Sequence, residues 1–330
     1  MHRAARLEDG FYDLVARIAR RRGWQPRMLV YTGYGTDGWV RVFGRVLLTP
    51  PGTRRRDIED GRRGWRRFFS AKIAGVPVTI DIAGTRHEVS TGRGGYVDEL
   101  VPADLAPGWS TAQLRTAGAS PADAPVHVLG SQARRGVVSD IDDTVMITAL
   151  PRPLLAFWNT FVRTEASRRP VPGIAQLYRE LAADDPGTFF VYLSTGPWNV
   201  APALDAFLDR HGFPRGPLLL TDWGPTPEGW FRSGREHKRA QLHRLISELP
   251  QLHWLLVGDD GQHDPELYAE AAEQAPGRVR AVVIRQLTAT EQVLTHGTPE
   301  PLSALPWVAK SPTAAVPVVS APDGFGLLAA

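Results

Sequence analysis

Apolar and polar positions follow two different rhythms along this chain. From Met28 to about Gly130 the apolar runs are short and are broken by turn residues. Val78, Ile80 and Ile82 alternate with Thr79 and Asp81, the period of a half-buried strand. The same reading predicts strands at Met28–Thr32, Val40–Leu48, Val76–Ile82, Arg86–Val89 and Val126–Leu129. Gly33, Gly35, Asp37-Gly38, Gly84 and Gly92 supply turns. Many short strands with frequent turns predict a β-sandwich-like domain of about 100 residues. Pro102 to Pro125 is rich in Pro, Ala and Ser, and reads as a connection to the last strand.

After Arg135 the rhythm changes. Apolar runs expected as strands (Gly136–Ser139, Thr188–Leu193, Pro217–Leu220, His253–Val257, Arg278–Leu287) alternate with patterns of helical spacing. The helices are expected at Gly173–Ala183, Val200–Arg210, Arg235–Leu249 and Pro265–Glu273. This alternation predicts an α/β fold with a doubly wound parallel sheet.

The ends differ from both regions. Leu7, Phe11, Leu14, Val15 and Ile18 share one face of a predicted helix over Leu7–Arg22, closed by basic residues and Gly23. That helix either packs on the following domain or lies on a membrane surface. From about Gly297 the chain is Pro- and Ala-rich with few charges, and is expected to be loosely ordered. The expected division is a helix over 1–27, a β-rich domain over 28–130, an α/β domain over 131–296 and a tail over 297–330.

Composition narrows the possibilities only slightly. The 330 residues are 43% hydrophobic and 22% charged, an ordinary globular balance. The chain has no cysteine, which excludes thiolate ligands, cysteine nucleophiles and disulfides. No apolar stretch reaches about 18 residues, so no membrane span is expected. The first residues do not read as a secretory signal, and the expected location is cytoplasmic with peripheral attachment to the membrane. A net charge of +3 is too small to imply nucleic acid, so the placement of charge matters more. Between Thr53 and Phe69, seven arginines face three acids, with Trp65, Phe68 and Phe69 interleaved. This stretch reads as a solvated loop or as a contact for an anionic surface, to which each basic residue contributes about 1 kcal/mol. Single-stranded nucleic acid ranks lower, because no nucleic-acid module surrounds it.

The candidate chemistry gathers where predicted strands end. Val137-Val138-Ser139 runs into Asp140-Ile141-Asp142-Asp143-Thr144, three carboxylates within four residues. Like charges this close are unfavourable unless a cation joins them, although an acidic turn is the plainer alternative. Ser194-Thr195-Gly196-Pro197-Trp198-Asn199 follows the next strand, and its hydroxyls either cap a helix or bind phosphate. Lys238 lies early in a helix, where a lone lysine is usually solvated. Gly258-Asp259-Asp260 and then Asp264 follow a further strand. Asp264 precedes Pro265, so it fits an N-cap as well as a metal ligand.

In this order, the four stretches resemble the four motifs of the haloacid dehalogenase superfamily of phosphotransferases, over Val137 to about Thr295. Within it the chain is most similar to the lipin-like and actin-patch phosphatidate phosphatases. Asp140–Thr144 matches their Asp-Ile-Asp-[Gly/Asp]-Thr motif, and Ser194–Asn199 their Ser-[Thr/Ser]-x-Pro-Trp-Asn-like motif. Leu219–Gly224, Gly258–Tyr268 and a β-rich N-terminal region also resemble the actin-patch group. Two features depart from it. Asp260 stands where a small polar residue is common, and the tail lacks a clear helical pattern.

The resemblance implies that Asp140 is the nucleophile and that Asp142 is the general acid and base. It implies Mg²⁺ held by Asp140, the Asp142 carbonyl and Asp259, with Asp264 and Asp260 in support; oxygen donors suit that ion. Ser194 or Thr195 and Lys238 would neutralise phosphoryl oxygens, and Thr144 would orient the turn. Only 28 residues lie between Thr144 and Gly173, too few for a large cap domain, so an open site for a bulky substrate is expected. Phe157, Trp158 and Phe161 in that insert either meet acyl chains or pack as a short helix. The expected partners are an anionic phospholipid substrate and a membrane surface, with no nucleic acid. A soluble or protein phosphoester remains the second reading, and a non-catalytic scaffold the third.

Overall fold

A computed structural model of the chain describes residues 15–52, 71–147, 168–221, 234–261, 263–289, 291–292 and 316–330. The basic stretch at 53–69, the insert with Phe157, Trp158 and Phe161, Trp223-Gly224 and the expected helix start at Leu7–Leu14 lie outside them. The chain divides into two compact units.

The first unit holds eight strands: β1 (Gln25–Thr36), β2 (Gly38–Thr49), β3 (Ala71–Lys72), β4 (Pro77–Ile82), β5 (Thr85–Ser90), β6 (Tyr96–Ala103), β7 (Gly108–Arg115) and β8 (Ala122–Val128). They are linked in the order β3-β2-β1-β8-β7-β4-β5, with β6 also paired to β2. All eight strands belong to one hydrogen-bonded set. The long strand β2 makes this possible by pairing with β6 over residues 38–45 and with β3 at residues 47–48.

Two strands, β6 and β7, fall where the sequence suggests little or only a connection. Strand β7 alternates Ala112 and Leu114, both buried, with polar residues, so its apolar signal is small. Strand β6 carries Pro102, a strand-breaking signal that is tolerated near its end.

Residues 15–21 are helical, and their buried face is turned from the expected one. Ala16 and Ala19 join the same core as Met28, Val42 and Val126, whereas Ile18 is 42% exposed. Small residues let this helix approach the strands closely, which a face chosen by large apolar residues does not reveal. Pro197–Pro202 are grouped with this unit. The Trp198 ring lies 4.4 Å from Tyr31 and 6.0 Å from Phe43. The buried Arg45 donates to Asn199 Oδ1 at 2.8 Å.

The second unit is α/β. Its strands are β9 (Arg135–Asp140), β10 (Phe189–Pro197), β11 (Leu218–Thr221), β12 (His253–Asp259), β13 (Val279–Arg285) and β14 (Val318–Ala321). Its helices are α1 (Ile174–Asp184), α2 (Ala201–Arg210), α3 (Gly234–Glu248), α4 (Asp264–Gln274) and α5 (Gly324–Ala329). The sheet order is β11-β10-β9-β12-β13-β14. Strand β9 is parallel to β10 and β12, and β13 is parallel to β12 and β14. Strand β10 is buried on nearly every residue, which fits a parallel strand covered on both faces. From β9 the chain adds strands outward to β11, then crosses to the other side of β9 and adds β12, β13 and β14. The order therefore reverses beside β9, the place where open α/β sheets bind ligands at their carboxyl ends.

The tail, expected to be loosely ordered and without a helix, corrects that expectation over its last residues. Val318–Ala321 pair with Val282–Arg285 as a sixth strand, and Gly324–Ala329 form α5 against α1. The pairing is four residues long and the helix only six, too short for periodicity to register. Gly324 makes the docking possible. Its amide donates to the Pro172 carbonyl at 2.8 Å, and a Cβ there would lie 2.1 Å from the Gly173 backbone carbon. Gly324→Ala should therefore destabilise this docking by about 1–3 kcal/mol, the usual cost of forced overpacking. Limited proteolysis should cleave the C-terminal residues of the variant well before the rest of the second unit; an unchanged digest would contradict the docking.

Candidate active site

Strand β9 delivers Asp140 to the reversal point, and a tight turn follows. Ile141, Val145 and Met146 are fully buried and draw the turn inward. It is closed by Val145 N–H and Met146 N–H to the Ile141 carbonyl, at 3.0 and 3.1 Å, and by Asp143 N–H to the Met146 carbonyl at 2.8 Å. Asp143 has φ = 57°, the left-handed region, which Asp tolerates better than most residues. Behind the turn, Tyr178 OH on α1 donates to Ser139 Oγ, and Ser139 Oγ donates to the Asp140 carbonyl, both at 2.6 Å.

Strand β12 ends beside β9 and delivers Asp259. Helix α4 begins five residues later with Asp264, and helix α3 presents Lys238. All three side chains are buried. Lys238 Nζ lies 2.7 Å from Asp140 Oδ1 and 2.5 Å from Asp264 Oδ1. The first helical residue Asp264 does not cap its helix: His263 holds the cap position, and one Asp264 oxygen is on Lys238. Gly258 leaves room for this arrangement, because a Cβ would lie 2.7 Å from Asp264 Oδ2. Lys238 is thus not the solvated lysine of the plainer reading.

Asp140, Asp259 and Asp264 each offer an oxygen within 4.8 Å of the others. Asp140 Oδ2, Asp259 Oδ2 and Asp264 Oδ2 are buried with no hydrogen-bond donor among the described residues. Three carboxylates against one ammonium leave two negative charges if all are ionised. Unpaired buried charge of this size is strongly unfavourable. An all-oxygen donor set with two uncompensated charges fits a hard divalent cation.

The remaining expected residues separate into different places. Ser194 is fully buried; its hydroxyl donates to Asp142 Oδ2 at 3.1 Å and accepts from Gly196 N–H at 2.9 Å. Thr195 is half-buried, with its methyl close to where a Cβ of Gly234 would be, at the start of α3. The buried Thr144 hydroxyl has no hydrogen-bond partner among the described residues. Asp260 does not join the cluster: Oδ1 accepts from Leu287 N–H at 2.8 Å and Oδ2 from Gln292 at 3.4 Å. Sequence spacing placed it beside Asp259, but Asp260 is the first residue past the end of β12, and its carboxylate is taken up by Leu287 and Gln292. Tyr178 and Ser139 were not expected in the site; a tyrosine in an apolar helix face carries no sequence signal of a polar role.

The electrostatics follow from burial. Burial, together with the nearby Asp264 and Asp142 charges, pushes Asp140 well above the usual carboxylate range, against the opposing pull of Lys238. Burial and the neighbouring carboxylates raise Asp259 in the same way. Burial alone would depress Lys238, but Asp140 and Asp264 override it and hold the ammonium above its ordinary value.

Raised carboxylate pKa values mean that the folded protein holds protons the unfolded chain has lost. Without a cation, that stabilisation is therefore full in acid. It is lost as pH rises from about 4 toward the raised folded values. A bound divalent cation replaces those protons. The rise in Tm produced by millimolar Mg²⁺ should be larger at pH 8 than at pH 5.5. Thermal unfolding with and without the ion checks this, and an equal shift at both pH values would contradict it.

Comparisons with known proteins agree with this geometry. Residues 135–286 match the family model described as the phosphatidate phosphatase APP1 catalytic domain. Phosphatidate phosphatase APP1 of Saccharomyces cerevisiae is 28% identical over 152 residues, 46% of this chain and 25% of that protein. An uncharacterized protein of Schizosaccharomyces pombe is 26% identical over the same shares of both chains. This chain thus spans about a quarter of the length of these curated relatives. Among solved structures, an uncharacterized protein from Listeria monocytogenes serotype 4b superposes with a TM-score of 0.35 at 14% identity. It covers 58% of this chain and 93% of that one, a likeness too slight to carry an argument. The matched segment runs from the start of β9 to the end of β13 and includes every carboxylate of the cluster, together with Lys238 and Ser194. Residues 135–286 are thus similar to the phosphatidate phosphatase APP1 catalytic domain.

Proposed function

We propose that this chain is a Mg²⁺-dependent phosphomonoester hydrolase that works through an aspartyl-phosphate, with phosphatidate at a membrane surface as its substrate. The observation that carries the reading is the buried cluster of Asp140, Asp259 and Asp264 around Lys238, with its donor-less oxygens. The family match supports phosphatidate as the substrate. Right-handed crossovers in the observed strand order would place helices on both faces of the sheet. That supports a doubly wound, haloacid dehalogenase-like catalytic domain from about residue 131, preceded by the β-rich region at 28–130.

In this mechanism an Asp140 oxygen attacks phosphorus as the bond to the leaving oxygen breaks. Asp142 gives its proton to that oxygen. It then takes a proton from the water that attacks the aspartyl-phosphate, which releases phosphate and restores the Asp140 carboxylate and the Asp142 acid. The Ser194 hydroxyl holds Asp142 in place by its bond to Oδ2. That assigns phosphate contact to Thr195 rather than to Ser194. Lys238 offsets negative charge on the phosphoryl oxygens. Asp140, Asp259 and Asp264 would hold a divalent cation, which would supply the positive charge that lets a carboxylate approach an anionic phosphate.

The short insert after Thr144 leaves little chain to enclose the site, which suits a lipid headgroup presented at a surface. No helix among the described residues is long and apolar enough to cross a membrane. Peripheral attachment from the cytoplasmic side, through the arginines between Thr53 and Phe69, is the matching proposal.

The test is phosphate release from phosphatidate in mixed micelles, with Mg²⁺ and with chelator, beside a soluble aryl phosphate. Mg²⁺-dependent release from the lipid is expected. Asp140→Asn should lose at least about a thousandfold in kcat, since it removes the nucleophile. Asp142→Asn should lose about 10²–10⁴-fold, the usual contribution of a general acid and base. Release from the soluble ester alone would overturn the lipid substrate, and full activity in Asp140→Asn would overturn the mechanism.

A further inference from the structure

Arg285 is a buried charge that none of the expected motifs includes. It is the last residue of β13 and pairs in register with Asp259 on β12. Its guanidinium makes three contacts to three separate segments. Nη1 donates to the Asp143 carbonyl at 2.7 Å, Nη2 to Glu291 Oε1 at 2.7 Å, and Nε to the Pro322 carbonyl at 3.2 Å. The planar fork of arginine suits such divergent donation, which a lysine could satisfy only in part.

The first contact is the informative one. Asp143 sits in the middle of the Asp140–Thr144 turn with a left-handed backbone. Such a conformation persists where its surroundings over-determine it. Arg285 reaches from β13, past the end of β12, to the carbonyl of that residue. Its own carbonyl accepts from Asp260 N–H at 3.1 Å, and Asp260 in turn holds Leu287 N–H at 2.8 Å. The turn that carries Asp142 and the strand end that carries Asp259 are therefore both tied to residues 285–287. Asp260, which stands outside the carboxylate cluster, acquires a purpose in the same tie.

We propose that Arg285 is a positioning residue that, with Asp260, holds the Asp140–Thr144 turn in register with Asp259. Its effect on turnover rests on the phosphatase reading; its effect on the turn does not. Hydrogen bonds from charged donors are among the stronger ones, and losing this one should loosen the turn by roughly 10–100-fold.

The test combines hydrogen exchange with kinetics in Arg285→Met and Arg285→Lys. In Arg285→Met, the amides of Asp143, Val145 and Met146 should exchange roughly 10–100-fold faster than in the unaltered chain, while Val191 in β10 stays protected. Arg285→Lys, which keeps the charge but only one donor nitrogen, should fall between, and it carries the test alone if the methionine variant fails to fold. Against a phosphate ester, kcat should fall by a similar factor with KM within about twofold, because the loss is one of alignment rather than of substrate contact. Unchanged turn exchange would overturn the proposal. So would exchange that rises equally in β10, which marks a general structural role. Faster turn exchange with an unaltered, Asp140-dependent kcat would overturn the link to catalysis. If the unaltered chain shows no Asp140-dependent turnover, the phosphatase reading fails and the exchange comparison still decides the positioning role.

Discussion

The second unit depends on how three buried carboxylates share one ammonium. Lys238 sits between Asp140 and Asp264, and it cannot neutralise Asp259 as well. Removing one member of a buried charge set typically costs about 3–5 kcal/mol, because the remainder is left uncompensated. Four elements must therefore converge with little freedom: β9 with Asp140, β12 with Asp259, α3 with Lys238 and α4 with Asp264. Gly258 marks how tight that convergence is, since a single added carbon would meet the Asp264 carboxylate. The residual negative charge is the physical reason the cluster would suit a divalent cation. In the proposed mechanism, offsetting that charge would let Asp140 approach an anionic phosphate as the nucleophile.

The sheet order explains why these groups meet at all. Residues far apart in sequence come together because the order reverses beside β9, so the ends of β9 and β12 open onto one crevice. Strand β10 on the other side of β9 brings Ser194 to Asp142. The site thus has two halves. Asp140, Asp259, Asp264 and Lys238 form the charged cluster; Asp142 and Ser194 are joined beside it by a hydrogen bond, the pair to which the proposed mechanism gives the proton transfer. The strands that carry Asp140 and Asp259 are backed by neutral hydrogen bonds from tyrosines, Tyr178 through Ser139 and Tyr268 to the Val257 carbonyl.

Much of this second unit was legible in the sequence. Buried parallel strands are written as continuous apolar runs, and carboxylates at their ends are conspicuous. The elements from β9 to β13 accordingly lie within a few residues of expectation. What escaped has physical causes. Strand β7 buries only small or isolated apolar residues, and β6 contains a proline. The N-terminal helix is seated by Ala16 and Ala19, whereas the larger Ile18 is exposed. Strand β14 and helix α5 are too short to show a period, and their docking depends on Gly324 meeting Gly173, a contact no local pattern encodes. Asp260 shares its neighbour's spacing, but its carboxylate is taken up by Leu287 and Gln292. Arg285 reads as an ordinary basic residue at a strand end until the fold places it beside the Asp143 carbonyl.

The central claim is that the buried Asp140 carboxylate becomes covalently phosphorylated during turnover. The direct measurement is acid quenching during steady turnover of a phosphate ester with Mg²⁺, followed by mass spectrometry of the peptide that contains Asp140. A phosphoryl group on Asp140, present with Mg²⁺ and absent with chelator, is the predicted result. Sustained phosphate release with Asp140 unmodified, in a quench shown to preserve acyl phosphates, would contradict the account.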